Sequence, residues 1–436
     1  MAKYKAYPEY KDSGVEWLGD IPKNWDLKKL KYLSSIQTGN KDTVDAIEDG
    51  IYPFFVRSQI IEKINSIGAN CEAVLTAGDG AGVGKIYHHY KGKFNFHQRV
   101  YMLSNFTKVN GRFVYYYLLA NFYKVALEGN AKSTVDSLRL PQFLNFEFSF
   151  PDTKEQSSIV RQLDILCSYT DSLIEKAEKL IELLKEKRQA VISHTVTKGL
   201  NPDASMKDSG VEWFGDVPDN WKIASIKYIS KIINGSTPKS DVDKYWNGNI
   251  SWFTPSDLSQ KENIYIKSSI RQITIDGLNS CGTSLVPEHS LILSTRAPIG
   301  SVAITASEAC TNQGCKALVT TNKNLSLFLY YQLSSLTEQL NNIGRGSTFL
   351  ELSTDDLGSF KLSIPDSDIE KIVSYLRNKT TKIDTLIQKQ LQQIDLLKER
   401  RTALISAAVT GKIDLRDWTP PASSTEASFT AEEATA

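Results

Sequence analysis

Residues 11–36 read KDSGVEWLGDIPKNWDLKKLKYLSSI, and residues 207–232 read KDSGVEWFGDVPDNWKIASIKYISKI. The two stretches agree at most positions, far beyond what shared composition produces, so the chain carries an internal repeat. A second block, DSLIEKAEKLIELLKEKRQAVISHTVT at 171–197, returns as DTLIQKQLQQIDLLKERRTALISAAVT at 384–410. The period is about 200 residues, too long for a solenoid and suited to two tandem domain-plus-helix units.

The repeated helical blocks have a heptad signature. Ile159, Leu163, Leu166, Thr170, Leu173, Ala177, Leu180 and Leu184 recur at steps of four and three, and the spacing predicts a helix over about 155–198. Pro151, Asp152 and Glu155 mark its start, and Gly199 with Pro202 marks its end. In the second copy Ser367 and Glu370 read as a capping box and Gly411 as the stop. The apolar stripe there is Ile372, Leu376, Ile383, Leu386, Ile387, Ile394, Leu397 and Leu404. Helices of this length are unstable alone in water, so they are expected to pack together as an antiparallel coiled coil.

Between the repeated blocks the halves diverge, and only landmarks align. Phe54–Gln59 stands where Trp252–Asp257 stands, Gly84 and Gln98 match Gly300 and Gln313, and Ser133-Thr134 matches Ser347-Thr348. The expected fold class is α+β, with two mixed globular domains, two long helices and a pseudo-twofold duplication. The expected boundaries are a first domain at 1–150, a helix at 151–200, a second domain at 201–364, a helix at 365–415 and a disordered Pro, Ser, Thr and Ala-rich tail at 416–436. Short strands are expected at Ser290–Thr295, Ser301–Thr305 and Lys316–Thr320, and aromatic helices at Arg112–Ala126 and Leu325–Leu340.

Lys and Arg number 51 against 50 Asp and Glu, so the whole chain is no generic basic DNA coater, although charge can segregate between faces. No apolar run reaches membrane-spanning length, and the polar start lacks a secretory stretch, which together predict a cytoplasmic protein. Cys71, Cys167, Cys281, Cys310 and Cys315 are scattered without C-x2-C pairing, so buried free thiols are expected and no metal site. GDGAGVGK at 78–85 lacks the glycine and the Ser or Thr of a phosphate loop, having Asp79 and Ile86 in their places. It reads as a glycine-rich turn that carries side chains to a ligand. No methyltransferase Asn/Asp-Pro-Pro-aromatic motif, zinc-protease histidine pair or G-x-S-x-G nucleophile is present, so no catalytic residue is assigned.

The W-x-G-x-x-P-x-x-W segments at Trp17–Trp25 and Trp213–Trp221, the LLKE(K/R)R-x-A-(V/L)-I-S helices, and WFTPSDLS, STRAPIGS and TNQGCKAL in the second half carry a resemblance. The chain resembles the DNA specificity subunit of type I restriction-modification systems, over nearly all of residues 10–415. The resemblance implies two target recognition domains that each read one half of a split, asymmetric site in double-stranded DNA, held apart by the paired helices. It implies no catalysis by this chain and no cofactor of its own. Two methyltransferase subunits would use S-adenosylmethionine to methylate adenine N6, and motor-nuclease subunits would use ATP and Mg to cleave. Candidate DNA-contacting residues are Arg57, Ser58, Gln59, Lys85, His97, Gln98, Arg99, Lys132 and Ser133 in the first domain. In the second they are Thr254, Ser256, Asp257, Arg296, Asn312, Gln313, Lys316, Arg345 and Ser347. Candidate partner-docking residues are Leu183, Leu184, Val191, Ile192, Leu396, Leu397, Leu404 and Ile405, too many apolar positions for one seam of a helix pair. Two other readings stay open: a related system whose partner fuses methylation and cleavage, and a coiled-coil scaffold that binds only protein.

Overall fold

In the computed structural model the described residues are 5–126, 138–261, 263–345 and 350–416. They form two compact units, one built from the chain up to Glu178 and again from Leu391, the other from Lys179–Gln390.

The repeated N-terminal motif builds the same hairpin in each unit. Tyr10–Asp12 pairs with Asp20–Pro22, and Met206–Asp208 pairs with Asp216–Pro218. Asp12 Oδ1 accepts from the Gly14 N–H at 2.9 Å, and Asp208 Oδ1 accepts from the Gly210 N–H at 2.9 Å. Gly14 and Gly210 sit at φ +70° and +64°, in the left-handed region that favours glycine. The loop then delivers Trp17 onto Phe146, stacked at 5.3 Å, and Trp213 onto Phe360, stacked at 5.0 Å. The second tryptophans, Trp25 and Trp221, are buried in their cores. Each half keeps the motif because the hairpin turn, the stacked ring and the buried ring all depend on it.

The first unit has a six-stranded sheet in the order Ser35–Thr38, Val100–Ser104, Ala69–Ala77, Tyr87–Phe96, Tyr52–Phe55, Glu62–Ile64. All pairings are antiparallel except Tyr52–Phe55 with Tyr87–Phe96. In the second unit the sheet is split. Five strands run Lys231–Asn234, Cys315–Val319, Leu291–Ser294, Val302–Thr305, Tyr265–Ile266, and three run Gln272–Ile273, Trp246–Phe253, Ala309–Thr311. Trp246–Phe253 and Ala309–Thr311 keep the parallel pairing of the first unit. The strands expected near 290, 301 and 316 are present, as are helices at Gly111–Asn121, Tyr123–Ala126, Lys323–Ser335 and Thr337–Asn342.

The long central helix spans Thr153–Lys198 and the C-terminal helix Ile369–Val409, about 69 and about 62 Å at 1.5 Å per residue. Asp152 Oδ1 caps the first by accepting from the Glu155 N–H at 2.9 Å. Glu155 does not complete a capping box. Its buried carboxylate accepts from Tyr7 Oη at 2.7 Å and Trp25 Nε1 at 3.2 Å, tying the helix start to the N-terminal segment. The capping box expected at Ser367 is not formed. The Ser367 hydroxyl bonds Asp368 Oδ2 at 3.3 Å, and the helix starts after Asp368, at φ +71°. Gly199 and Gly411 end the two helices at φ +76° and +72°.

Seam positions on the central helix are Leu163, Cys167, Thr170, Ile174, Ala177, Ile181, Leu184, Arg188, Val191 and Thr195, all buried or half-buried. Their repeats, Leu376, Thr380, Ile383, Ile387, Gln390, Ile394, Leu397, Arg401, Leu404 and Ala408, behave alike. The expected seam is corrected at its alternate positions. Leu180 is 42% exposed while Ile181 is 7%, and Leu386 is 46% exposed. Where two apolar residues are adjacent, either satisfies the spacing, and the neighbouring turns decide which faces inward.

In the first unit the helix segments run antiparallel, with Asp171 paired to Arg401 and the start of the central helix beside the Gly411 end. In the second, Arg188 Nε pairs with Asp384 Oδ1 at 2.8 Å and Val196 lies beside Ser363, which again requires an antiparallel run. Asp171 and Asp384 are repeats of one another, as are Arg188 and Arg401. One ion pair is therefore made twice.

Candidate nucleic-acid interface

The polar landmarks of each half collect on loops at the strand ends. In both units the loop that follows the first sheet strand passes close to the landmark glutamine turn, and a glycine permits the approach. A Cβ at Gly39 would stand 2.0 Å from the Phe96 carbonyl oxygen, and one at Gly235 would stand 2.0 Å from that of Asn312. The glutamines are then held from the same side. Gln98 Nε2 donates to Asp42 Oδ2 at 2.5 Å, and Thr237 Oγ1 bonds Gln313 Oε1. Gly39 and Gly235 were not among the sequence candidates, although T-G-N and N-G-S at matching positions were the available signal.

In the first unit Arg57, Arg99 and the glycine loop converge. Asp79 Oδ1 accepts from Arg57 Nη1 at 2.8 Å and its Oδ2 from Arg99 Nη1 at 2.8 Å. Burial acts to raise the Asp79 carboxyl, but the hydrogen bonds and charges of the two guanidiniums outweigh it and take the pKa below its ordinary value. Gln59 and Lys85 are exposed on the neighbouring turns. Ser58 is half-buried, and its hydroxyl donates to the Ile60 carbonyl at 2.9 Å. His97 is corrected from a surface reader to a buried residue, 1% exposed. Its Nδ1 accepts from the Arg99 N–H at 2.9 Å, which shapes the turn that presents Gln98 and Arg99.

The second unit assigns several candidates to structure. Thr254 and Asp257 bond each other in a capping box, Thr254 Oγ1 to Asp257 Oδ2 at 2.6 Å, and Asp257 Oδ1 accepts from the Ile270 N–H at 2.7 Å. Asn312 Oδ1 accepts from the Gly314 N–H at 3.0 Å. Lys316 is not on the surface as expected: it is 7% exposed, with Nζ on Asn234 Oδ1 at 3.0 Å, and burial lowers its pKa. Ser256 and Gln313 are exposed. Arg296 pairs with Glu351 at 3.1 Å, and Arg345, 81% exposed, pairs with Asp356 at 2.9 Å. Lys132, Ser133 and Ser347 lie outside the described residues, as does the tail after Arg416.

The docking candidates divide in the same way. Ile192, Leu404 and Ile405 are buried in their own units, and Leu184, Leu397 and Val191 are half-buried or in the seam. Leu183 and Leu396, repeats of each other, stay 50% and 65% exposed. The five cysteines are free thiols, of which Cys310 and Cys315 are buried. Among the described residues no cluster of three or more potential metal ligands occurs, and no helix is long and apolar enough to cross a membrane.

The model of the type I restriction modification DNA specificity domain matches residues 22–183 and 218–396. The type I restriction enzyme MjaIX specificity subunit of Methanocaldococcus jannaschii is 34% identical over 191 residues, 42% of this chain and 43% of that protein. The MjaVIII specificity subunit of the same organism is 22% identical over 430 residues, 91% of this chain and 95% of that protein. A solved chain, described under the structural basis of complex assembly and conformational transition of the type I R-M system, has a similar fold. Its TM-score is 0.68 at 15% identity, covering 89% of this chain and 98% of that one. With both halves matched by the family model and the duplicated α+β frame in place, the chain belongs to the family of type I restriction-modification DNA specificity subunits.

Proposed function

We propose that the chain reads DNA sequence for a type I restriction-modification assembly. Each unit reads one half of a bipartite, asymmetric site in double-stranded DNA, and the long helices set the unread spacer between them. Two methyltransferase subunits, carrying S-adenosylmethionine, methylate adenine N6 at the site, and motor-nuclease subunits use ATP and Mg to cut unmodified DNA. Catalysis and cofactors reside with those partners, in the cytoplasm.

One observation carries this reading. The two frames repeat at the hairpin turn, the stacked tryptophan, the glycine that backs the glutamine loop and the interhelix Arg–Asp pair. The exposed polar groups mounted on them differ, with Arg57, Lys85 and Arg99 in one and Arg296 and Arg345 in the other. A common frame with unlike polar loops suits two readers of unlike sequences, because base edges are told apart by donor and acceptor pattern. Leu183 and Leu396, exposed on the repeated LLKE(K/R)R turns, supply two equal docking points for two copies of one subunit. The test is expression of the chain with its neighbouring methyltransferase and mapping of N6-methyladenine across the host genome. A split motif with two fixed halves and one spacer is expected. Methylation that needs the chain but follows no motif would overturn the proposal.

A further inference from the structure

The glycine loop at 78–85 has no role in the repeated frame, since its counterpart in the other half keeps only the final glycine. Two of its glycines, Gly80 and Gly82, face Arg57. A Cβ at Gly82 would stand 2.8 Å from the Arg57 carbonyl oxygen, and Gly80, at φ +78°, lies beside Arg57 Nη1. The loop therefore wraps an arginine instead of a phosphate, and the side chain it delivers is Asp79.

Asp79 is 19% exposed, whereas Arg57 and Arg99 are 38% and 58% exposed. The carboxylate sits beneath and the guanidiniums point outward. Each arginine gives Asp79 one N–H of its five, which fixes the planar fork and leaves the other donors for a ligand. The three residues together carry a single positive charge. Attraction to phosphate grows with net charge, so the half-buried carboxylate weakens a phosphate site while sharpening a geometric one. In the second unit the corresponding loop supplies a guanidinium instead, Arg296, which pairs with Glu351 at 3.1 Å.

We infer that Arg57 and Arg99, aligned by Asp79, read guanine edges in the major groove of the first unit's half-site. This rests on the DNA-reading role proposed above. A forked arginine on guanine O6 and N7 discriminates against other bases by about 5- to 150-fold.

The experiment uses the assembled methyltransferase complex, with methylation mapping and DNA-binding titrations over a range of salt. R57K and R99K keep the charge and lose the fork. Each is expected to relax one guanine position in one half-site, with discrimination there falling about 5- to 150-fold and the salt slope unchanged. The other half-site stays sharp and reports a folded complex. D79N, which frees both arginines, is expected to strengthen binding to non-cognate DNA and steepen the salt slope by about one unit. Lysine variants with a wild-type motif overturn the inference, as do R57A and R99A variants that only flatten the salt slope by about one unit. If the wild-type complex itself shows no defined motif, the DNA-reading role fails and the residue assignment with it.

Discussion

Replacing Arg188 by Asp and Asp384 by Arg, singly and together, isolates the interhelix ion pair of the second unit. Arg188 makes a forked contact, Nε to Oδ1 at 2.8 Å and Nη2 to Oδ2 at 3.4 Å. At 2.8 Å the Coulomb attraction is about 6 kcal/mol in a medium of effective dielectric 20 and about 1.5 kcal/mol in bulk water. The side chains are 30% and 51% exposed, so screening and the ordering of two flexible side chains reduce the net value to about 0.5–1 kcal/mol. R188D removes that attraction and sets two carboxylates face to face, for an expected loss of about 1–2 kcal/mol. D384R costs about the same by setting two cations together, and the double reversal recovers most of the loss. Urea unfolding followed by far-UV circular dichroism, at low salt and at roughly 1 M salt where the Debye length is about 3 Å, measures the coupling. The repeat pair, Asp171 with Arg401, bonds through one nitrogen and should couple no more strongly. Reversals that simply add, or a coupling that ignores salt, would refute the account of the pair as a register lock.

Gly39→Ala drives a methyl group into the Phe96 carbonyl and should abolish reading of the first half-site, by several kcal/mol of local destabilisation, while Gly235→Ala does the same to the second; methylation mapping distinguishes them. His88, 7% exposed, has its imidazole pushed down from 6.5 by burial, against the smaller effect of its bond to the Ser58 carbonyl. A depressed histidine stabilises fully above its unfolded value and loses that contribution as pH falls through the folded one. The first unit should therefore weaken below about pH 6.5, with a slope of at most about 1.4 kcal/mol per pH unit from this group, and His88→Phe should flatten that part of a stability profile. Leu183→Asp and Leu396→Asp should each remove one methyltransferase from the complex with little effect on folding, read by mass measurement; loss of both copies from either single change would contradict two equal docking points.

Much of the architecture was legible because the chain states it twice. The hairpin motif, the long helices, their glycine stops and the strands near 290, 301 and 316 follow from repeat, heptad period and turn chemistry. The seam was legible at Leu163, Thr170 and Ala177, where one residue alone satisfied the spacing, and not at Leu180 and Ile181, where both neighbours are apolar. The site was harder to read because a polar residue's role depends on partners distant in sequence. Lys316 is an ordinary surface candidate until Asn234 takes its ammonium inside, and His97 until Arg99 donates to it. The Arg57–Asp79–Arg99 cluster joins three loops, each separated by about twenty residues, and no spacing rule links them.

The central claim is that each unit reads its own half of the site, and exchange of one reader tests it most directly. Residues 37–150 would be replaced by the corresponding segment of a family member with a different target, and N6-methyladenine mapped in cells that also express the methyltransferase. The account predicts that one half of the motif changes while the other half and the spacer stay as they were. A motif altered in both halves, or left intact in both, would contradict it.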